Sequence, residues 1–144
     1  MKYSIKIQRI YAPECSEDGF RCLVDRLWPR GFKKSALFLD LWLPNIAPSS
    51  QLRKSWHQEV LSFDDFREAY ETELAGLEEE LLPLLIAARK GKVTLLSSVK
   101  NIEVSHLPIL KDKLVSLLLS EDQLVEGNEQ SSSPCYLSQF NTFE

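Results

Sequence analysis

The stretch VTLLSSV, residues 93–99, decides the class of fold that this sequence predicts. Its apolar residues do not alternate with polar ones, so an extended chain would present them on both faces. Strands that are apolar on both faces are typical of parallel sheets that are covered by helices on each side. We therefore predict that residues 93–99 form a buried strand of a parallel sheet.

Two further strands are predicted upstream of this one. Residues 3–11, YSIKIQRIY, alternate apolar and polar side chains with a period of two, which is typical of a strand. Residues 20–25, FRCLVD, form the second predicted strand and follow a polar turn region. Residues 40–48 are apolar but are broken by two prolines, so we expect short turns or one helical turn there.

Helical segments separate the predicted strands. A short helix is expected over residues 51–58. A long amphipathic run over residues 62–91 contains Pro83, which should divide it into two helices or kink it. A final amphipathic helix is expected over residues 106–119. Because strands alternate with helices, we predict a single α/β domain whose small, mostly parallel, Rossmann-like sheet is flanked by helices.

The end of the chain differs in composition from this domain, which should occupy residues 1–120. Residues 121–144 hold five acidic and no basic residues, are rich in serine and lose the helical periodicity. Segments with this composition bury too little apolar surface to hold one conformation. We therefore expect an acidic tail that is disordered or only loosely docked.

Composition limits the compartment and the type of site. The chain has 144 residues and no run of the roughly 18 apolar residues that a membrane span needs. Its beginning lacks the uninterrupted apolar centre of a signal peptide. Three cysteines, Cys15, Cys22 and Cys135, form no C-x-x-C pair, which argues against a disulfide framework and a structural zinc site. We expect a cytoplasmic protein without a membrane partner.

The charges are distributed unevenly along the chain. The net charge is −4, yet residues 1–58 hold 10 basic and 5 acidic residues, whereas residues 59–92 hold 4 and 9. A net negative charge does not favour binding to nucleic acid through general charge. A local site for an anion within residues 1–58 fits both facts.

The first candidate site segment is LVDRLWPRGFKK, residues 23–34. Asp25 lies where the second predicted strand ends, and it could orient an arginine or act as a base. Arg26 and Arg30 carry planar guanidinium groups that suit carboxylate or phosphate. Trp28 could stack on a planar ligand. The alternative is a structural loop, with an internal salt bridge between Asp25 and an arginine and with Trp28 in the core.

Two more segments are expected at the same edge of the sheet, because ligands of parallel sheets bind outside the carboxyl ends of the strands. Arg53 and His57 are four residues apart on a predicted helix and share a face. Lys100, Ser105 and His106 follow the strand formed by residues 93–99. Either histidine could exchange a proton with an anion. The alternatives are a helix-end histidine that a carbonyl satisfies, and an N-cap role for Ser105.

Motifs for the common cofactors are absent from the sequence. The two histidines are far apart and have no carboxylate at metal-ligand spacing, so we expect no metal. There is no phosphate-binding GxxxxGK[ST] loop and no GxGxxG dinucleotide motif, so we expect no cofactor. No GxSxG elbow surrounds the serines.

Several segments together carry a resemblance to a known family. GFRCLVDRLWPRGFKK, LWLPNIAPSSQLRKSWHQ, FREAYETEL and VTLLSSVKN with a following SH stand in the order and spacing of the YeaO-like branch of the domain of unknown function 488 family. The chain resembles this family from about residue 2 to residue 119. The resemblance implies a small bacterial α/β protein of the cytoplasm, and it does not supply a reaction.

The chain also departs from the pattern of that family. It has Ser97 where the family commonly has a tyrosine, and it reads Val104-Ser105-His106 where the family ends in His-Asn-His. One family histidine is therefore missing. If the activity of the family needs that pair of histidines, this chain would bind a ligand without turnover.

Our leading hypothesis from the sequence is a site for a small anionic ligand that is phosphate-bearing or nucleotide-like. The predicted binding residues are Arg26, Trp28, Arg30, Arg53, Lys100 and Ser105, and the candidates for catalysis are His57, His106 and Asp25. The alternative is a regulatory or protein-interaction module, supported by the acidic tail with its aromatic residues. Nucleic-acid binding is a weaker alternative, because aromatic residues are not interleaved with the basic ones. No sequence feature indicates an oligomeric state.

Overall fold

The protein is an α/β fold built on one four-stranded parallel sheet, as the sequence predicts. A computed structural model describes residues 3–13, 16–33 and 39–131, with side chains for all of these but residues 16 and 125–131. The strands are β1 (Ile5–Arg9), β2 (Phe20–Leu23), β3 (Leu41–Trp42) and β4 (Val93–Ser97). Their order across the sheet is β1-β4-β2-β3.

Four α-helices accompany the sheet. They are α1 (Ser50–His57), α2 (Phe63–Ala75), α3 (Leu82–Lys90) and α4 (His106–Ser131). Short 3-10 helices occur at Ser16–Asp18, Pro44–Ile46 and Ile102–Val104. Serine side chains cap the first two α-helices, because the hydroxyl groups of Ser49 and Ser62 accept hydrogen bonds from the backbone N–H of Leu52 and Asp65.

Strand β4 is the centre of the sheet, and all five of its residues are buried. Its first residue, Val93, pairs with Ile5 of β1 on one side and with Phe20 of β2 on the other. Both pairings are parallel, so the strand has neighbours along both edges. This confirms the prediction of a buried parallel strand, which ends at Ser97 rather than at residue 99.

Strand β3 is an addition to the predicted elements. Leu41 and Trp42 pair with Cys22 and Leu23 of β2. The pairing extends over only two residues because Pro44, which has no backbone N–H, begins a 3-10 helix directly afterwards. The expected helical turn is therefore present in residues 40–48, and a short strand precedes it.

The predicted break in the long helical run lies at a different residue. Helix α2 ends at Ala75 with Gly76 as its C-cap, and a turn separates it from α3. Pro83 lies in the first turn of α3, where the missing backbone N–H has no helical partner to lose. The run is thus two helices as expected, but the assignment of the break to Pro83 was wrong.

Helix α4 continues beyond its predicted end at residue 119 to Ser131. Residues 120–131 contain three glutamates and two glutamines, which favour a helix even without helical apolar periodicity. Contacts within the chain define two compact units, Met1–Leu114 and Val115–Glu144. The predicted division between residues 120 and 121 stays a prediction, and residues 132–144 lie outside the described part of the chain.

Two expectations from composition concern membranes and cysteines. Within residues 3–13, 16–33 and 39–131, no helix is both long enough and apolar enough to cross a membrane. Cys22 is a free, buried thiol, and burial raises its pKa to about 12, so it is a poor nucleophile. Cys15 and Cys135 lie outside the described residues.

Two glycines in turns have a positive φ angle, which L side chains rarely adopt, but their surroundings differ. Gly19 precedes β2 with φ 67°, and a Cβ atom built there would overlap the carbonyl group of Lys92. The same carbonyl oxygen accepts the backbone hydrogen bond of Phe20 at 2.9 Å. Gly31 has φ 86°, and no atom of the described residues lies within 4 Å of the position of its Cβ. The sheet therefore needs the small size of Gly19 as well as its backbone conformation.

This difference makes Gly31→Ala a matched control for Gly19→Ala. Gly31→Ala should lower the free energy of unfolding by about 1 kcal/mol, the cost of a left-handed backbone. Gly19→Ala carries the same cost plus the overlap with the Lys92 carbonyl, so we expect a loss of about 3 kcal/mol. Urea unfolding measures both variants. Equal losses would show that the close approach to Lys92 does not constrain the sheet.

Candidate functional site

A cleft of about 760 Å³ lies at the carboxyl ends of β2 and β4. It is lined by the loops that follow β1, β2 and β4, by α1 and by the beginning of α4. The predicted site residues all line this one cleft: Asp25, Arg26, Trp28, Arg30, Arg53, His57, Lys100, Ser105 and His106. The structure thus brings together three segments that are far apart in sequence.

The carboxylate of Asp25 is a buried charged group at the cleft. Its Oδ1 accepts a hydrogen bond from the hydroxyl of Ser97 at 2.5 Å. Its Oδ2 accepts two more from Ser98, one from the backbone N–H at 2.7 Å and one from the hydroxyl at 2.8 Å. These bonds join the chain after β2 to the end of β4. Within the described residues Asp25 forms no ion pair with an arginine, so the alternative of such a salt bridge is not observed.

His106, the first residue of α4, lies beside this carboxylate. Its Nε2 is 2.8 Å from the backbone oxygen of Val24 and 3.5 Å from Oδ1 of Asp25. Because a carbonyl oxygen can only accept a hydrogen bond, Nε2 must carry the proton and donate it. The ring of Tyr70 also meets the imidazole edge-on, with 6.0 Å between the ring centres. His106 is therefore fixed in orientation by its neighbours.

The surroundings of Asp25 decide its ionisation. Burial alone would raise the pKa of the carboxyl group. Hydrogen bonds from His106, Ser97 and Ser98 act in the opposite direction and hold the pKa below its ordinary value of 3.8. Asp25 is consequently ionised at neutral pH, and a carboxylate so well supplied with donors is a weak base.

Arg26 is partly a structural residue. Its Nε donates to the backbone oxygen of Pro48 at 3.1 Å, and its Nη2 donates to that of Ala47 at 3.0 Å. The buried hydroxyl of Tyr70 donates to the neighbouring carbonyl oxygen of Ile46 at 2.6 Å. Together these side chains hold the segment that leads into α1, while the charge of Arg26 remains at the cleft.

The sequence left open whether Trp28 lies in the core or at the ligand site, and in the structure it contributes to both. It is half-buried, its indole N–H donates to the carbonyl of Phe32 at 2.8 Å, and its ring meets Trp42 edge-on at 5.3 Å. It also packs against the buried apolar cluster of Ile10, Leu23 and Leu96. Trp28 therefore belongs to the packed interior of the fold, and it contributes to the wall of the cleft as well.

Helix α1 presents Arg53 and His57 one turn apart, and both are exposed at the cleft. The helix is fixed at its beginning because Ser49, its N-cap, donates its backbone N–H and its hydroxyl group to the carboxylate of Glu73 on α2. This placement confirms that Arg53 and His57 share one face of the helix. Neither Arg53 nor His57 has a hydrogen-bond or ion-pair partner among the described residues.

Ser105 is the N-cap of α4, which was the alternative to its role as a ligand residue. Its hydroxyl donates to the carbonyl of Ile102 at 2.6 Å and accepts from the backbone N–H of Leu107 at 3.2 Å. Lys100 lies on the loop before it and is exposed at the cleft. Of these two residues, only Lys100 has its polar group available to a ligand.

The cleft is strongly cationic although the chain is acidic. Among the described residues, four permanent cations line it, namely Arg26, Arg30, Arg53 and Lys100, and Asp25 supplies the one carboxylate. In the described part of the chain, the side chains of Arg30, Arg53 and Lys100 are exposed and have no hydrogen-bond or ion-pair partner. Such a concentration of one sign of charge in a concave site attracts anions.

Sequence reasoning missed several residues of the site. It placed Ser97 and Ser98 near a strand end but did not indicate that Asp25 is their partner. Trp42 was not connected to the site, yet its indole N–H donates to the backbone oxygen of Asp25 at 2.8 Å. Trp56 was not included among the predicted site residues, yet it is half-buried and lines the cleft. Ser97 and Ser98 could have been identified from the sequence, because they are polar residues near the end of an otherwise apolar strand.

No group of three or more histidine, cysteine, aspartate or glutamate side chains within residues 3–13, 16–33 and 39–131 could hold a metal ion.

The hydrogen bonds of Asp25 predict a pH-dependent effect of Asp25→Asn. The amide retains one acceptor for Ser97, but its NH₂ group cannot accept from Ser98, so we expect a loss of about 3 kcal/mol in unfolding free energy at neutral pH. Because the folded-state pKa is below the ordinary value, the unfolded chain takes up the proton first as the pH falls. The stability that ionised Asp25 contributes is therefore complete at neutral pH and is lost as the pH falls through its folded-state pKa.

The difference between wild type and Asp25→Asn should accordingly shrink below about pH 4. Urea unfolding at about pH 7 and pH 3 measures it. Glu103→Gln, at an exposed carboxylate near the cleft, is the control and should change stability by less than about 0.5 kcal/mol at neutral pH. A loss for Asp25→Asn that is equal at both pH values would contradict the role assigned to the charge.

Comparisons with known proteins place the chain in a family. Residues 4–137 match the family described as the inactive DUF488-N3 subclade. The chain is 48% identical over 114 residues to the uncharacterized protein YeaO of Escherichia coli (strain K12), covering 79% of this chain and 99% of that protein. It is 31% identical over 110 residues to the uncharacterized protein Mb3100c of Mycobacterium bovis, covering 76% and 92%. No solved structure matches significantly. The chain therefore belongs to the domain of unknown function 488 family, in the DUF488-N3 subclade that is described as inactive.

Proposed function

We propose that the cleft binds a small anionic ligand, phosphate-bearing or nucleotide-like, in the cytoplasm of a bacterium. The observation that carries this proposal is the convergence of Arg30, Arg53 and Lys100 on one cleft, exposed and without partners in the described part of the chain. In this cleft Asp25 is already satisfied by serine and backbone donors.

The energetics of such contacts are adequate for binding. A hydrogen bond to a charged group contributes roughly 1.5–3 kcal/mol, so three contacts from cationic side chains supply roughly 5–9 kcal/mol. The loss of translational freedom and the ordering of the side chains reduce this sum. An affinity between about millimolar and micromolar, which corresponds to roughly 4–8 kcal/mol, is the expected range.

We further propose that binding is not followed by a reaction. Two candidates for acid–base catalysis, Asp25 and His106, are engaged in internal hydrogen bonds, and the pKa of Asp25 is shifted away from that of a general base. Ser105 is engaged as a helix cap. His57 alone of the catalytic candidates has no partner in the described residues. The description of the matching subclade as inactive supports a binding role.

A protein-interaction module is the second candidate function. Leu27 and Val104 both line the cleft, and their side chains are 63% and 44% exposed. Exposed apolar side chains beside cations would suit a partner segment with acidic and apolar residues. Nucleic-acid binding is less well supported, because the chain has a net charge of −4 and its aromatic residues are not interleaved with the basic ones.

A thermal-shift panel of nucleotides, sugar phosphates and dicarboxylates tests the proposed site. A ligand at a hundred times its Kd should stabilise the folded protein by about 2.7 kcal/mol and raise the melting temperature by roughly 8 °C. Arg53→Gln should reduce this shift by at least half. Lys54→Gln removes one charge from the neighbouring exposed position of α1 outside the cleft, and it should respond like wild type.

Arg53 is preferred over Arg26 for this test because Arg26 also holds Ala47 and Pro48, so its removal would disturb the fold. If the ligand raises the melting temperature less than in wild type, and equally so, in Arg53→Gln and Lys54→Gln, the effect comes from general charge and the cleft is not the site. If no compound of the panel raises the melting temperature of wild type, the small-ligand proposal fails and the protein-interaction function is favoured.

A further inference from the structure

Trp56 differs from the other two tryptophans in the use of its indole N–H. The N–H of Trp28 donates to the carbonyl of Phe32, and that of Trp42 donates to the carbonyl of Asp25. The N–H of Trp56 has no partner among the described residues, although the side chain is half-buried. Tryptophans in such positions usually satisfy their N–H, and Trp56 lines the cleft.

The ring of Trp56 is held in place by other aromatic rings. It stacks on Phe66 with 4.9 Å between the ring centres and an interplanar angle of 26°, and it lies 5.7 Å from Phe63. Phe66 in turn stacks on the buried ring of Tyr70 at 6.1 Å. A ring supported in this way loses little conformational entropy when a ligand contacts it.

Trp56 also lies on the same helix as Arg53 and His57 of the proposed site. Arg53 is three residues before it and His57 follows it, and all three side chains line the cleft. Side chains three residues apart on a helix are neighbours, with about 5–6 Å between their Cβ atoms. One ligand could therefore place a flat ring against Trp56 and its anionic group against Arg53. The cleft volume of about 760 Å³ is far more than a bare phosphate needs and is in the range of sites for larger ligands.

We infer that the ligand is an aromatic phosphate ester such as a nucleoside monophosphate, whose ring contacts Trp56 while its phosphate contacts Arg53. This inference rests on the proposed function, because it names the ligand class for the same cleft. It assigns Trp56 as a specificity-determining residue. A sugar phosphate would satisfy the cations equally well but would leave the indole ring and its N–H unused.

The test separates the ring from the phosphate by calorimetric titration with adenosine monophosphate, ribose 5-phosphate, adenosine and inorganic phosphate. Wild type should bind adenosine monophosphate about tenfold more tightly than ribose 5-phosphate, the gain expected for one stacked base. Trp56→Leu should bind the two compounds equally, with the affinity for ribose 5-phosphate unchanged. Phe63→Leu removes another ring of the same aromatic row outside the cleft, so it should keep the wild-type preference.

A second variant covers the case in which Trp56→Leu does not fold. Trp56→Phe keeps an aromatic ring against Phe66, and adenosine monophosphate should quench the tryptophan fluorescence of wild type more than that of Trp56→Phe. Calorimetry should still detect binding to this variant.

The outcomes distinguish the inference from the proposed function. If wild type binds adenosine monophosphate and ribose 5-phosphate equally, or if Trp56→Leu keeps the preference, the inference is overturned and the anion site stands. If wild type binds none of the phosphate compounds, the proposed function fails as well.

Discussion

The hydrogen bonds between Asp25 and the serines that end β4 are the interaction on which the site depends. A buried carboxylate is costly unless donors surround it, so the chain must bring Ser97 and Ser98 to Asp25 across more than seventy residues of sequence. Once they meet, the loop after β2 and the loop after β4 are fixed relative to each other. These two loops carry Arg26, Arg30 and Lys100, and the cationic cleft is a result of this junction.

His106 on α4 and Trp42 on the edge strand β3 also form hydrogen bonds to the loop after β2. His106 donates to the carbonyl oxygen of Val24, and Trp42 donates to that of Asp25 itself. The backbone hydrogen bonds of the sheet stop at the end of β2. These side chains therefore supply hydrogen-bond donors to the backbone carbonyl oxygens there. A site with such fixed surroundings can hold its cationic side chains near binding positions before a ligand arrives, which reduces the ordering that binding requires.

The features that the sequence predicted well are those that local physics determines. The burial of β4 and the presence of helices near residues 51–58 and 62–91 depend on residues within one strand or a few helical turns, and these predictions agree with the structure. The edge of the sheet at which the candidate residues meet was also predictable, because parallel topology fixes it. What could not be predicted were pairings over long distances, such as Asp25 with Ser97. The break at Gly76 and the cleft-facing position of Trp56 likewise depend on how helices pack, which periodicity alone does not specify.

The two-residue length of β3 has a consequence for how the protein behaves in a crowded solution. β3 is an outer strand of the sheet, and outer strands expose backbone groups to which a strand from another molecule can add. Among the residues that the structure describes here, only Leu41 and Trp42 are in strand conformation, and Pro44 follows two residues after Trp42, so this edge offers a short and interrupted template. The sheet is thereby protected on that side against growth by strand addition and the aggregation that follows from it.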